Sequence, residues 1–138
     1  AGEGLIQTRH PQHPLIQQLD APYDSALPIL LGQRSTAGLP PEGALAVIRC
    51  DSESRQEGMA FLSELKRHRV ADPDCQMIGP IPAAMARRKN RYRTQLVISA
   101  RGRAKLSTVV TSLVAVAEST RHSHGLKWFV DVDPYESL

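Results

Sequence analysis

The sequence predicts an α+β domain, an antiparallel four-stranded sheet with two helices on one face, preceded by an extended N-terminal segment. Two helical stripes support this reading. Met59, Leu62 and Leu65, with Phe61 beside them, form the first, and Leu106, Val109, Val110, Leu113, Val116 and Ala117 form the second. Four strand-like runs surround the stripes, at 44–51, 76–81, 91–100 and 126–133. The order strand, helix, strand, strand, helix, strand is the split β-α-β-β-α-β pattern of a ferredoxin-like domain. Both crossovers then place their helices on one face and leave the other face available.

Residues 5–8 read as a short strand and 14–19 as the first turns of a helix. Residues 20–43 carry Pro22, Pro28, Gly32, Gly38, Pro40, Pro41 and Gly43, a density that implies a connector with at most a short helix near 26–34. Gly38 and Gly43 match a G-x-x-x-x-G spacing, but Ala44 and Leu45 stand where a phosphate loop needs Lys and Ser/Thr, so no nucleotide site is expected. The run 44–51, ALAVIRCD, reads as a mostly buried strand. Ser54 and Glu57 have capping-box spacing. Lys66, Arg67, His68 and Arg69 suit a helix C-terminus, with His68 as a cap. Asp72-Pro73-Asp74 is a turn, and Pro80 and Pro82 mark 76–81 as an edge strand. In the third strand Tyr92, Thr94, Leu96 and Ile98 face the core, with Arg91, Arg93 and Gln95 opposite. In the last strand Trp128, Val130 and Val132 face one way, with Lys127, Phe129, Asp131 and Asp133 opposite. His122 and His124 fall in a solvated loop, and His10 and His13 lack metal-ligand spacing.

A chain of 138 residues supports one modest core with an appendage. Net charge is +3 and the pI about 9.1, so an acidic partner is favoured. No apolar run reaches the roughly eighteen residues that span a bilayer, and no signal-peptide segment opens the chain; a soluble, cytoplasmic protein is expected. Cys50 and Cys75 lack a C-x-x-C pattern and read as a strand residue and a loop thiol.

Charge is concentrated in 79–106, which holds Arg87, Arg88, Lys89, Arg91, Arg93, Arg101, Arg103 and Lys105, eight of the seventeen Lys/Arg, and no acid. Strand alternation puts Arg91 and Arg93 on a rigid ridge. Arg101, Arg103 and Lys105 open a helix, where the macrodipole disfavours cations by a few tenths of a kcal/mol each. Helix N–H groups beside arginines make an anion site, for either a phosphate or a carboxylate.

Gly79-Pro80-x-Pro82-Ala83, Arg91-Tyr92-Arg93-x-Gln95 and Lys127-Trp128-x-Val130-Asp131-Val132-Asp133-Pro134 together resemble the C-terminal end of the bacterial primosomal protein N′ (PriA) family, the replication-restart DNA helicases. Gln7-Thr8-x-His10-Pro11-x-His13-Pro14-Leu15 resembles the segment that follows the family's last helicase motif, and Leu39-Pro40-Pro41 the start of its C-terminal domain. Glu42 departs from the pattern, since the family carries an aromatic or apolar residue there. The resemblance implies a fragment: 1–38 as the tail end of a helicase core and connector, and 39–138 as an α+β domain that binds DNA and partners. It implies a parent that uses ATP, magnesium and zinc, whose ATP loop, acidic motif and zinc cysteines have no counterpart here. This chain alone is therefore expected to lack ATPase and helicase activity. The implied partners are forked or single-stranded DNA, the acidic C-terminal tail of single-stranded-DNA-binding protein, and other primosomal proteins, with the chain a monomer. DNA falls to Arg87, Arg88, Lys89, Arg91 and Arg93. The tail falls to Arg103, with Arg101, Lys105 and Ser107 around it.

A free-standing RNA-binding domain of ribosomal type is the alternative, since ferredoxin-like sheets bind RNA through exposed aromatics. Tyr92 and Phe129 are the available rings, and Tyr92 points to the core. An independent enzyme is disfavoured because no nucleophile–base pair, carboxylate pair or metal-spaced set stands out.

Overall fold

The computed structural model describes residues 3–69 and 72–134. Four strands, β1 (Ala44–Ser52), β2 (Cys75–Arg88), β3 (Arg91–Ala100) and β4 (Lys127–Val132), form one sheet in the order β2-β3-β1-β4. All three pairings are antiparallel. Helices α2 (Arg55–Arg67) and α3 (Arg103–Ser119) make the two crossovers. This is the predicted ferredoxin-like α+β arrangement behind an N-terminal segment. No helix among the described residues is long and apolar enough to cross a membrane.

The core lies between the helices and one sheet face. Ala44, Ala46, Ile48 and Cys50 of β1 meet Leu96, Ile98 and Ala100 of β3, with Phe61, Leu62 and Leu65 of α2 and Leu106, Leu113 and Ala117 of α3 above them. Strand alternation sends Leu45, Val47 and Val97 to the other face. That face is only half available: Leu39 packs on these three residues, and Val47 and Val97 are 0% and 3% exposed.

The N-terminal segment departs from expectation. Residues 5–8 form no strand, and 14–19 give only a 3-10 turn at Ile16–Gln18. The connector holds a full helix, α1 (Tyr23–Thr36), with Pro28 inside it and no buried residue. Its C-terminus is tied to the following turn by Arg34 Nε donating to Pro40 O (2.5 Å) and Ser35 Oγ to Glu42 (2.5 Å).

Three further details differ. Ser54 is the α2 N-cap, but its side chain makes no capping bond, and Glu57 instead accepts from the Ser123 N–H (3.4 Å). Strand β2 is longer than 76–81: a cis Gly79–Pro80 bond and irregularities after Ile78 and Pro82 break its alternation without ending its pairing to β3. Cys75 is the first residue of that strand rather than a loop thiol, and both cysteines are free. The predicted C-cap role of His68 holds; its N–H bonds to Glu64 O and Leu65 O, and its ring to the Glu64 carboxylate (3.1 Å).

Candidate nucleic-acid and partner interface

Strand direction decides where the cations go. β1 ends where β3 and β4 begin, since Ser52 pairs Tyr92 and Asp51 pairs Lys127, and β2 ends there too, with Arg87 opposite Tyr92. Arg87, Arg88, Lys89, Arg91 and Arg93 therefore gather at one end of the sheet. Arg101, Arg103 and Lys105 follow the far end of β3, roughly 30 Å away along a ten-residue strand. The basic stretch that is continuous in sequence becomes two separate clusters.

The first cluster is a tight hairpin. Lys89 and Asn90 turn the chain at φ 47° and 62°, the pair of left-handed residues that a two-residue type I′ turn requires. The Arg87 guanidinium bonds the Asn90 side chain and lies 5.4 Å from the Tyr92 ring centroid, so that ring face is taken. Tyr92 is half-buried on the helix side of the sheet. Arg93 Nε meets Asp51 at 3.3 Å, and Arg91 reaches Glu53 at 3.9 Å and Asp51 O at 3.1 Å. Asp51 of β1 and Glu53 just beyond it thus supply acids that no neighbour in sequence could. Arg88 and Lys89 are exposed and enter none of the ion pairs found among the described residues.

Topology adds residues that sequence reasoning missed. Arg55 at the start of α2 and Arg121 in the α3–β4 loop share this end, as does Lys127, and all three are exposed. The same loop is less free than expected, because the His122 ring stands edge-on to Phe61 with centroids 5.4 Å apart. Strand pairing was the signal needed to find them.

The second cluster sits at the start of α3, whose N-cap is Gly102 at φ 95° and which no side chain caps. The repulsion expected there is relieved within the chain, so it requires no bound anion. Arg103 meets Asp133 at 2.6 Å, Arg101 meets Asp74 at 4.0 Å, and Lys105 bridges Asp72 (3.0 Å) and Asp74 (2.8 Å). Arg101 and Arg103 remain exposed, and Ser107 is exposed one turn on. A polar cleft of about 890 Å³ runs beside this end between Arg101, Gly102 and Asp74 on one side and Glu42 on the other.

The Asp72–Lys105 link has a pH signature. A hydrogen bond from the Asp74 N–H, and then the Lys105 ammonium, hold the Asp72 carboxyl below the usual carboxylate range. Bonds to Asp74 and Asp72 hold Lys105 above the usual lysine range. Asp72 therefore contributes stability above the ordinary carboxylate range and loses it as pH falls through its lowered value; Lys105 loses its share as pH rises through its raised one. Both shares are complete at neutral pH. Lys105→Met should move the Asp72 titration upward, read by carboxyl NMR, and an unmoved curve would show the link is not made in solution.

The family model described as the primosomal protein N C-terminal domain matches residues 35–135, most of the chain. The chain belongs to this family. The replication restart protein PriA of Haemophilus influenzae is 29% identical over 138 residues, covering 98% of this chain and 19% of that protein. The replication restart protein PriA of a Synechocystis species is 32% identical over 104 residues, covering 70% and 12%. That of Buchnera aphidicola is 25% identical over 136 residues, covering 94% and 19%. The chain thus spans a fifth or less of the curated relatives it matches.

Proposed function

We propose that this chain is the C-terminal module of a replication-restart protein, with residues 1–38 the end of a helicase core and its connector. It grips forked or single-stranded DNA at the hairpin end and takes an acidic partner tail at the α3 end. Its role is in primosome assembly, the tail being that of single-stranded-DNA-binding protein. One observation supports the DNA reading: Arg87, Arg88 and Lys89 project at a two-residue turn with no carboxylate paired to them among the described residues. Arg91 and Arg93 stand behind them, their charge partly offset by Glu53 and Asp51. If the three turn cations each contact a single-strand phosphate, log K falls against log salt with a slope near −2, from roughly −0.7 per phosphate.

Separation of the two clusters makes the reading testable. Arg88→Ala is expected to weaken single-stranded DNA and spare the tail peptide, and Arg103→Ala to do the reverse. Equal losses of both ligands in both variants would mean one diffuse basic surface and would overturn the two-site reading. In the tail site, Asp133 already holds Arg103, so the incoming carboxylate must share or displace that contact.

A further inference from the structure

The hairpin can hold phosphates, but its one aromatic face is covered by Arg87. A partly exposed ring stands on β4, which β1 separates from the hairpin. Phe129 lies on the sheet face away from the helices, directly across from Arg49, and is 43% exposed. Lys127 precedes it by two residues on the same face and is exposed. Lys127 and Arg93 both pair with Asp51, from opposite sides, so one row of the sheet reads Arg93, Asp51, Lys127. The two cations stand about 10 Å apart, two strand spacings. The next row reads Gln95, Arg49, Phe129, with Arg49 bound to Asp131 at 3.5 Å. Beyond it the face turns apolar and closes under Leu39.

The open half of this face thus combines a half-exposed ring with an exposed cation, Lys127, on the same strand, and with Arg93 beyond β1, which a phosphate must share with Asp51 at 3.3 Å. We propose that Phe129 is a stacking platform for one unpaired base of single-stranded DNA, with Lys127 and Arg93 holding the flanking phosphates. The ring is held in place by the strand, and its face is sequence-tolerant because every base offers a π-face. Arg49, held by Asp131, flanks the ring and packs the row beside it. A duplex cannot use this platform, because its bases are already stacked on one another. The inference rests on the DNA-binding reading above and deepens it: the hairpin supplies charge, and Phe129 supplies preference for a strand with exposed bases.

The test compares a fifteen-nucleotide oligothymidylate with an abasic oligomer of the same length, which keeps every phosphate and has no base, using anisotropy on the full chain. The wild type should favour the thymidylate by about 5- to 150-fold, the range expected for one stacked base. Phe129→Leu should lose that preference and keep the abasic affinity, while Phe129→Trp should retain it. Circular dichroism confirms that each variant is folded. A Phe129→Leu chain with the wild-type preference overturns the platform, and leaves the hairpin reading intact if the Arg88→Ala variant is weakened for both oligomers. A variant at Arg88 that binds both normally, beside a Phe129→Leu chain that has lost its preference, overturns the hairpin reading and keeps the platform. A wild type that binds neither overturns both.

Discussion

Leu65→Ala is expected to cost about 2–5 kcal/mol of folding stability, the range for deleting a buried leucine whose surroundings relax only partly. Leu65 is 0% exposed and belongs to the cluster that joins α2 to Ile48, Leu96 and Ile98. The apolar stripe of helix α2 is buried against the sheet, so the loss falls on the packing that fixes the crossover to it. Leu31→Ala on α1 is the matched control. Leu31 is 48% exposed and α1 buries no residue, so the change should stay within about 0.5 kcal/mol. Urea denaturation at constant m-value reads both. A Leu65→Ala loss below about 1 kcal/mol, or a Leu31→Ala loss of similar size to Leu65→Ala, would mean that the core is not where the structure places it.

The order of elements was legible because burial imposes a period. Helical spacing over 106–117 reports a single face against the core, and alternation over 91–100 places Leu96 and Ile98 on the helix side, although 94–98 is buried on both faces. Helix α1 was hidden because proline and glycine density argues for a connector, and Pro28 sits inside the helix. β2 was read short because Pro80, Pro82 and the irregular pairing beyond them erase alternation while leaving the ladder to β3 in place. The hairpin turn was masked by Lys89, a residue with no preference for the left-handed conformation that the turn demands.

At the candidate site, residue types were legible and their grouping was not. A contiguous basic run says nothing of strand direction, which sends Arg88 and Arg101 to opposite ends of the sheet. Counter-ions are equally invisible locally: Arg93 finds Asp51 forty-two positions away, and Arg103 finds Asp133. Only the register of β1 with β3 and β4 predicts that Lys127 and Arg93 flank one aspartate. Phe129, read at first as a candidate RNA contact, acquires its cationic neighbours only from that register.

Gly58→Val is the second substitution expected to damage the fold, by about 1–3 kcal/mol, the cost of forcing extra atoms into a packed interior. Gly58 lies in the first turn of α2 and is buried against the sheet. A Cβ there would sit 2.7 Å from Thr94 Oγ1 and 2.8 Å from Ser52 Oγ. Neither neighbour can yield freely. Thr94 is β-branched and 1% exposed, and Ser52 is 0% exposed with its hydroxyl donating to Ser54 O at 2.7 Å. Cys50 Sγ, 3.6 Å from the same point, closes the third side. Burial raises the Cys50 thiol to about 11, so it stays protonated at neutral pH and acts as packing rather than as a nucleophile. Alanine at position 58 gains about 0.8–1 kcal/mol of helix propensity, so Gly58→Ala should be milder than valine. Ser52→Ala removes one of the two obstructing oxygens. The double variant Gly58→Ala, Ser52→Ala should therefore lose less stability than the sum of its parts, a coupling of about 0.5 kcal/mol or more. Strict additivity in that cycle, or a Gly58→Val chain as stable as the parent, would show that α2 stands off the sheet at this turn.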